Sequence, residues 1–172
     1  MHRHAGMIAR ILVPVDYSAH SLEVLSAAAL IAERVGAELE LIHVWESMPQ
    51  FPRQLLVTTP DGQKRPIVEL VQATAEREMN EFLAEASLPS RVSVHHRVVG
   101  GDAARRILEA LQSGSFDLIV IGTHGRSGLQ KWAIGSVAER VVRLSPVPVV
   151  AVPERGVARK LEHLMPVLEK SA

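Results

Sequence analysis

Ile119-Val120-Ile121-Gly122-Thr123-His124-Gly125-Arg126-Ser127-Gly128, with Gly135-Ser136 shortly after it, is the stretch that decides the fold. An apolar strand runs into a glycine turn, a loop follows, and a Gly-Ser pair opens a helix. The spacing is Gly122, two residues, Gly125, nine residues, then Gly135-Ser136. Glycine lets the main chain take φ > 0 and approach a ligand with no Cβ in the way. The free N–H groups of a helix start then face an anion. The order strand, glycine turn, helix start predicts a unit built to hold phosphate.

The same alternation runs through the rest of the chain. Ile8 to Val15 is a continuous apolar run broken by Arg10 and Pro14, as in a strand buried on both faces. Ser18 to Val35 repeats apolar residues at helical spacing (Leu22, Leu25, Ala29, Ala32), with Gly36 as the C-terminal stop. Leu39 to Trp45 is a second strand. Residues 47–66 carry four prolines and no period, and predict a long exposed loop. Val68 to Ala86 reads as a helix burying Leu70, Val71, Ala75, Met79, Phe82, Leu83 and Ala86. Val92 to Val99, Phe116 to Ile121 and Val147 to Val152 are three further strands. Helices at Asp102 to Leu111 and Ser136 to Leu144 separate them.

Strictly alternating strands and helices imply a parallel sheet covered on both faces and joined by right-handed crossovers. The expected fold is α/β and Rossmann-like: an open five-stranded parallel sheet with strand order 3-2-1-4-5. Residues 1–153 form one domain and 154–172 a helical tail. In such a sheet, ligands sit beyond the C-terminal strand ends where the winding reverses, here between the first and fourth strands. The first strand ends in Pro14-Val15-Asp16-Tyr17-Ser18 and the fourth in the Gly122 turn. A lone carboxylate and a glycine-rich anion cradle match the chemistry of a ribose and a phosphate chain.

Composition narrows the classes. The 172 residues are 47% hydrophobic but only 3% aromatic, so the core is aliphatic. The formal net charge is zero, which argues against a broad nucleic-acid footprint. There is no cysteine, which removes disulfides, thiol catalysis and zinc-thiolate sites. Residues 1–7 are short and polar and lack the apolar core of a signal peptide, and no apolar run approaches the ~20 residues of a membrane span. A cytoplasmic protein with no membrane partner is expected.

Four motifs, each at a strand end and in the right order, resemble the universal stress protein family over nearly the whole chain. They are Gly122, Gly125, Gly135 and Ser136; Val13-Pro14-Val15-Asp16-Tyr17-Ser18; His43-Val44; and Pro146 to Val150. The resemblance implies the branch of the family that binds adenine nucleotides, because the glycine signature is intact. By that resemblance Asp16 contacts the ribose and Val44 meets the adenine through its backbone. Gly122, His124 and Gly125 wrap the phosphates, and Gly135, Ser136 and Val137 close on them. Pro14 and Val15 complete the strand end. Apart from the resemblance, Arg126 and Lys131 lie in the same loop, where they either screen phosphate charge or are simply solvated. The implied ligand is ATP or another adenine nucleotide, with Mg²⁺ accompanying a triphosphate. The implied protein is a homodimeric, stress-linked regulator without strong catalysis.

Plainer readings stand beside these. A bare Gly-x-x-Gly can be only a turn, Ser136 only a helix cap, and Asp16 or Ser18 the cap of the first helix. His95 and His96 are strand neighbours facing opposite sides, which cannot make a two-His metal site. Trp45 and Trp132 fit packing better than base stacking. An efficient ATP hydrolase needs organised metal ligands and a water-positioning group. The chain has neither a P-loop Gly-Lys-Ser/Thr nor a second acid beside Asp16, so at most slow hydrolysis is expected. A phospho-receiver would want an acidic cluster, and Val98-Val99-Gly100 supplies none. A ligand-free interaction module on the same fold stays open. The apolar strand Val147 to Val152 is expected at the sheet edge as the homodimer contact, with the main-chain groups of Pro148, Val150 and Val152 turned outward.

Overall fold

The computed structural model describes residues 8–46, 55–113, 116–124 and 135–154. Its elements are β1 (Arg10–Pro14), α1 (Ala19–Val35), β2 (Glu38–Trp45), β3 (Leu56–Thr58), β4 (Lys64–Pro66), α2 (Ile67–Glu85), β5 (Val94–Gly100), α3 (Ala103–Gln112), β6 (Leu118–Gly122), α4 (Ser136–Leu144) and β7 (Val149–Val152). Gly125, Arg126, Lys131, Trp132 and the tail beyond Glu154 lie outside the described residues.

The main sheet runs β5-β2-β1-β6-β7, with every pairing parallel. Counted as the five strands of this sheet alone, that is the expected order 3-2-1-4-5. The reason lies in β1. Ile11, Leu12 and Val13 are all fully buried, so the strand needs cover on both faces. Ile11 and Val13 join one core with Val24, Leu25, Ala28 and Ala32 of α1 and Met79 and Phe82 of α2. Leu12 joins a second core with Ile107 and Leu111 of α3 and Ala138 and Val141 of α4. Two helices therefore cover each face, and the winding reverses between β1 and β6.

The ends of α1 follow its sequence. The Ser18 hydroxyl accepts from the Ser21 N–H, and Gly36 takes φ 73° while donating to the Ala32 carbonyl. Gly36 is the residue that can adopt this left-handed stop without strain.

Two expectations are corrected. Residues 47–66 are not loop throughout: β3 and β4 pair antiparallel, Leu56 with Pro66 and Thr58 with Lys64. The turn between them is built by Asp61-Gly62. The Asp61 carboxylate accepts from the Thr59 hydroxyl and the Gln63 N–H, and Gly62 adopts φ 81°. Three-residue strands are too short to show a period, but the Asp-Gly turn was the available signal.

The second correction concerns β7. Ile119 N–H donates to the Pro148 carbonyl, and Thr123 N–H to that of Val152. The main-chain groups of residues 148, 150 and 152 therefore face β6, and those of Val149 and Ala151 face the open edge, the reverse of the expected alternation. In an unbroken apolar strand no polar residue marks the parity, so the register with β6 sets it.

Candidate functional site

The β1–α1 turn is a closed hydrogen-bond network. One Asp16 carboxylate oxygen accepts from the Ser18 N–H at 3.1 Å, the Ser18 hydroxyl at 2.6 Å and the Ser21 hydroxyl at 2.6 Å. The Ser21 oxygen in turn accepts the Asp16 N–H at 3.0 Å. Ser18, not Asp16, caps the helix. Tyr17 sits between them at φ 63°, a left-handed conformation that costs a non-glycine residue on the order of 1–2 kcal/mol. Tertiary contacts hold it there. Its hydroxyl donates to the Ala75 carbonyl at 2.8 Å, and its ring stacks on His43 at 4.0 Å. Burial, reinforced by the Glu78 and Glu76 carboxylates, pushes its phenol far above the ordinary range. His43 is buried, and its Nδ1 donates to the Val15 carbonyl at 2.9 Å.

Across the crevice, β6 runs almost directly into α4. The Thr123 carbonyl accepts the Gly135 N–H at 2.7 Å, and Glu139 N–H returns to the Gly135 carbonyl as the first intrahelical bond. Gly135 is the N-cap, so the cap residue has no side chain to bond the first turn of this helix. Ser136 is thus its first residue and not its cap. The amides of Ser136, Val137 and Ala138 precede the first intrahelical donor and have no acceptor within the helix. His124 contacts the Thr123 hydroxyl through Nδ1 at 2.9 Å, while its Nε2 is buried with no hydrogen-bond partner among the described residues.

The glycines work differently from the expectation. Neither Gly122 nor Gly135 has a positive φ. What each requires is the missing Cβ. At Gly122 a Cβ would stand 2.9 Å from His20 Nε2 and 3.2 Å from a Val24 methyl; at Gly135 it would stand 3.3 Å from the Thr123 carbonyl oxygen. Gly122 lets α1 close onto the sheet, and Gly135 lets α4 start against the strand end.

Both halves open on one cavity of about 180 Å³ at the point where the winding reverses. Pro14, Val15, Asp16, Val44, Gly122, His124, Gly135, Ser136 and Val137 all line it. The remaining two expected site residues, Gly125 and Arg126, lie outside the described residues. A neighbouring cavity of about 690 Å³ shares Asp16, Val44, Ala103 and Val137 with the first and extends to Trp45, Glu46 and the Leu70, Val71, Thr74 and Glu78 side of α2. Leu70 and Val71 therefore line a cavity and are only partly buried. Trp45 is a packing residue. Its indole N–H donates to Gln72 at 2.9 Å, and its ring covers Gly100, where a Cβ would come within 2.5 Å.

Sequence reasoning overlooked His20 and Ser21, which also line the first cavity. A lone histidine in a first helical turn carries no motif. Its position one turn beyond Asp16, on the cavity side of α1, was the only available hint. Among the described residues no group of three His, Cys, Asp or Glu side chains could hold a metal ion, and no helix is long and apolar enough to cross a membrane.

An open parallel sheet with helices on both faces and its crevice at the reversal of winding defines a doubly wound, Rossmann-like α/β domain. A model of the universal stress protein family matches residues 7–153 of this chain. A universal stress protein of Methanocaldococcus jannaschii is 33% identical over 144 residues, covering 83% of this chain and 81% of the relative. A universal stress protein A homologue of Coxiella burnetii is 32% identical, covering 83% and 94%. The chain belongs to the universal stress protein family. Among solved structures, a universal stress protein from Lactobacillus plantarum superimposes with a TM-score of 0.61 at 27% identity, covering 86% of this chain and 99% of its own. Another, a universal stress protein in complex with cAMP, shares the fold with a TM-score of 0.55 at 23% identity, covering 86% and 98%.

Proposed function

We propose that this protein is a regulatory binder of an adenine nucleotide, ATP in the first instance, with little or no turnover. One observation carries the reading. A single cavity at the reversal point brings together the Asp16 turn, the glycine-capped start of α4 and the buried Nε2 of His124, which has no hydrogen-bond partner among the described residues. An uncapped helix start favours an anion through its free amides and its dipole. A buried imidazole nitrogen with no partner is an unmet hydrogen-bonding requirement that a phosphate oxygen or hydroxyl can satisfy. In this reading Pro14, Val15 and Asp16 border the ribose, and the Val44 backbone meets the adenine. Gly122, His124, Gly125, Arg126, Gly135, Ser136 and Val137 surround the phosphates. Mg²⁺ arrives with a triphosphate and is ligated mainly by it. The family's complex with cAMP supports an adenine nucleotide as a ligand that this fold accepts. The cytoplasm is the compartment that fits such a ligand.

The test is Ser136→Pro. Proline is well tolerated at the first helical position, and Gly135 already has a compatible extended conformation (φ −58°, ψ 147°). The substitution removes one amide donor aimed at the anion and leaves the helix intact. Calorimetry should show ATP affinity falling by about 10–100-fold, the worth of one charge-assisted hydrogen bond, with an unchanged melting temperature. Undiminished affinity would break the phosphate assignment.

We further propose a homodimer paired through the β7 edge, Val147–Val152. Only Val149 and Ala151 offer outward main-chain groups there, so Ala151→Pro should convert dimer to monomer in sedimentation while the fold survives. Val150→Pro should damage the β6–β7 ladder itself.

A further inference from the structure

We propose that residues 157–165 form an amphipathic helix that docks, within the same chain, into an apolar groove between α1 and the β7 margin of the sheet. The groove follows from the width of the covering helices. Strands stand about 4.8 Å apart and a helix is about 10 Å across, so one helix covers about two strands. On the face that carries α1 and α2, α2 lies over β5 and β2, and α1 over β1 and β6. The fifth strand, β7, is left at the margin of that face. Its Val150 and Val152 pack toward α1 and are only partly buried, while Val149 packs on the α3–α4 side.

Two contacts fix which side of α1 borders β7. His20 Nε2 lies 3.1 Å from the Val152 carbonyl oxygen, and His20 and Val24 both stand against Gly122 of β6. Further along that side of the helix come Ala27, Ile31 and Val35, at spacings of three and four, with Leu30 beside them. A helix flank that meets water is ordinarily polar. Here Leu30 is 56% exposed and Val35 40%, and Ala27 and Ile31 are only partly buried. Four apolar residues of α1 and two valines of β7 thus border one groove.

The sequence leaving this edge supplies the occupant. β7 ends at Val152, at the cavity end of the groove, and the stretch shared with the family ends there too, at residue 153. Pro153 and Gly156 suit a reversal of the chain. Val157, Leu161 and Leu164 then recur at i, i+4 and i+7 as one apolar stripe, and Pro166 stops a helix at or before residue 165. Residues 157–165 span about 14 Å as a helix, and His20 to Ile31 spans about 16 Å on α1. A helix that turns back at residues 153–156 therefore runs down the groove with its stripe against Ala27, Leu30 and Ile31. Charge agrees with this direction. The tail is basic first, at Arg155, Arg159 and Lys160, and acidic later, at Glu162; the α1 flank has Glu23 at the cavity end and Arg34 at the far end. The lateral main-chain edge of β7 stays open to a second copy.

The full chain has no cysteine, so introduced pairs report without background. Leu30→Cys with Leu161→Cys, treated with a short bismaleimide at low protein concentration, should link within one chain, seen as a monomer-sized product on a denaturing gel. Val142→Cys with Leu161→Cys places the first thiol at another exposed apolar position, on α4, and should link at least tenfold more slowly. Melting temperature is the second readout. Leu30→Glu and Leu161→Glu should each lower it by about 4 °C through re-exposed apolar surface. The double variant should fall no further than either single one, because both release the same contact. Links formed mainly between chains, equal rates for the two cysteine pairs, an unchanged melting temperature in Leu30→Glu, or additive losses in the double variant would each overturn the docking.

Discussion

The two helix starts that face each other across the crevice solve the same problem in opposite ways. At α1 the chain satisfies itself: Ser18 caps the helix, Asp16 gathers two hydroxyls and an amide, and Ser21 returns a bond to Asp16. At α4 the N-cap is a glycine with no side chain to cap the first turn, and a neighbouring imidazole nitrogen is buried without a hydrogen-bond partner among the described residues. Every helix start has orphan amides. When one is closed by its own residues and its neighbour is left open onto the same cavity, the open one is where we propose that the ligand binds. In that proposal the closed one is the rigid wall against which the ligand is positioned.

The largest expected effect tests the rigid side. Asp16→Ala strands the Ser18 amide and two hydroxyls that share one carboxylate oxygen. Charge-assisted hydrogen bonds in a partly buried setting contribute about 1.5–3 kcal/mol each, and the three are not additive. Urea denaturation without nucleotide should show a loss of about 3 kcal/mol. A loss below about 1 kcal/mol would mean that the turn is held by Tyr17 and packing, and the contrast between the two helix starts would lose its basis.

A finer test applies one substitution to both starts. Ser18→Ala removes a cap and should cost about 1 kcal/mol. Ser136→Ala removes a hydroxyl that caps nothing and should stay within about 0.5 kcal/mol of the wild type. Equal costs at the two positions would show that Ser136 has a structural partner after all.

Much of this arrangement could be read in the chain before any coordinates. The parallel sheet covered on both faces followed from the alternation of strands and helices, with apolar runs such as Ile11-Leu12-Val13, and Gly36 and Ser18 marked the limits of α1. Asp16, Gly122 and Gly135-Ser136 fell at strand and helix ends by spacing alone. What escaped was set by tertiary contact. Gly122 is glycine because His20 and Val24 of another element press on it, and no local pattern records that. The outward parity of β7 depends on its register with β6. His20 stands on the cavity wall with its Nε2 at 3.1 Å from the Val152 carbonyl, a contact between residues far apart in the chain that no local pattern announces.

The smallest effect concerns the strain that the closed turn carries and the open one does not. Tyr17 is the sole tyrosine of the chain, so its ultraviolet absorbance reports on this turn alone. Burial, and then the nearby Glu78 and Glu76, raise its folded-state phenol above its unfolded value of about 10. Below that value the ring is neutral in both states and its ionisation costs nothing. Above it the unfolded chain ionises first, so stability should fall as pH rises, by up to about 1.4 kcal/mol per pH unit. Tyrosinate absorbance should therefore appear only together with loss of helical circular dichroism, in a single alkaline transition. Tyr17→Phe should remove that component of the alkaline slope, while at neutral pH it costs about 1 kcal/mol for the lost bond to the Ala75 carbonyl. A phenol that titrates near its ordinary value with the helices intact would show that the left-handed turn opens without unfolding. The wall opposite α4 would then be as yielding as the helix start it faces.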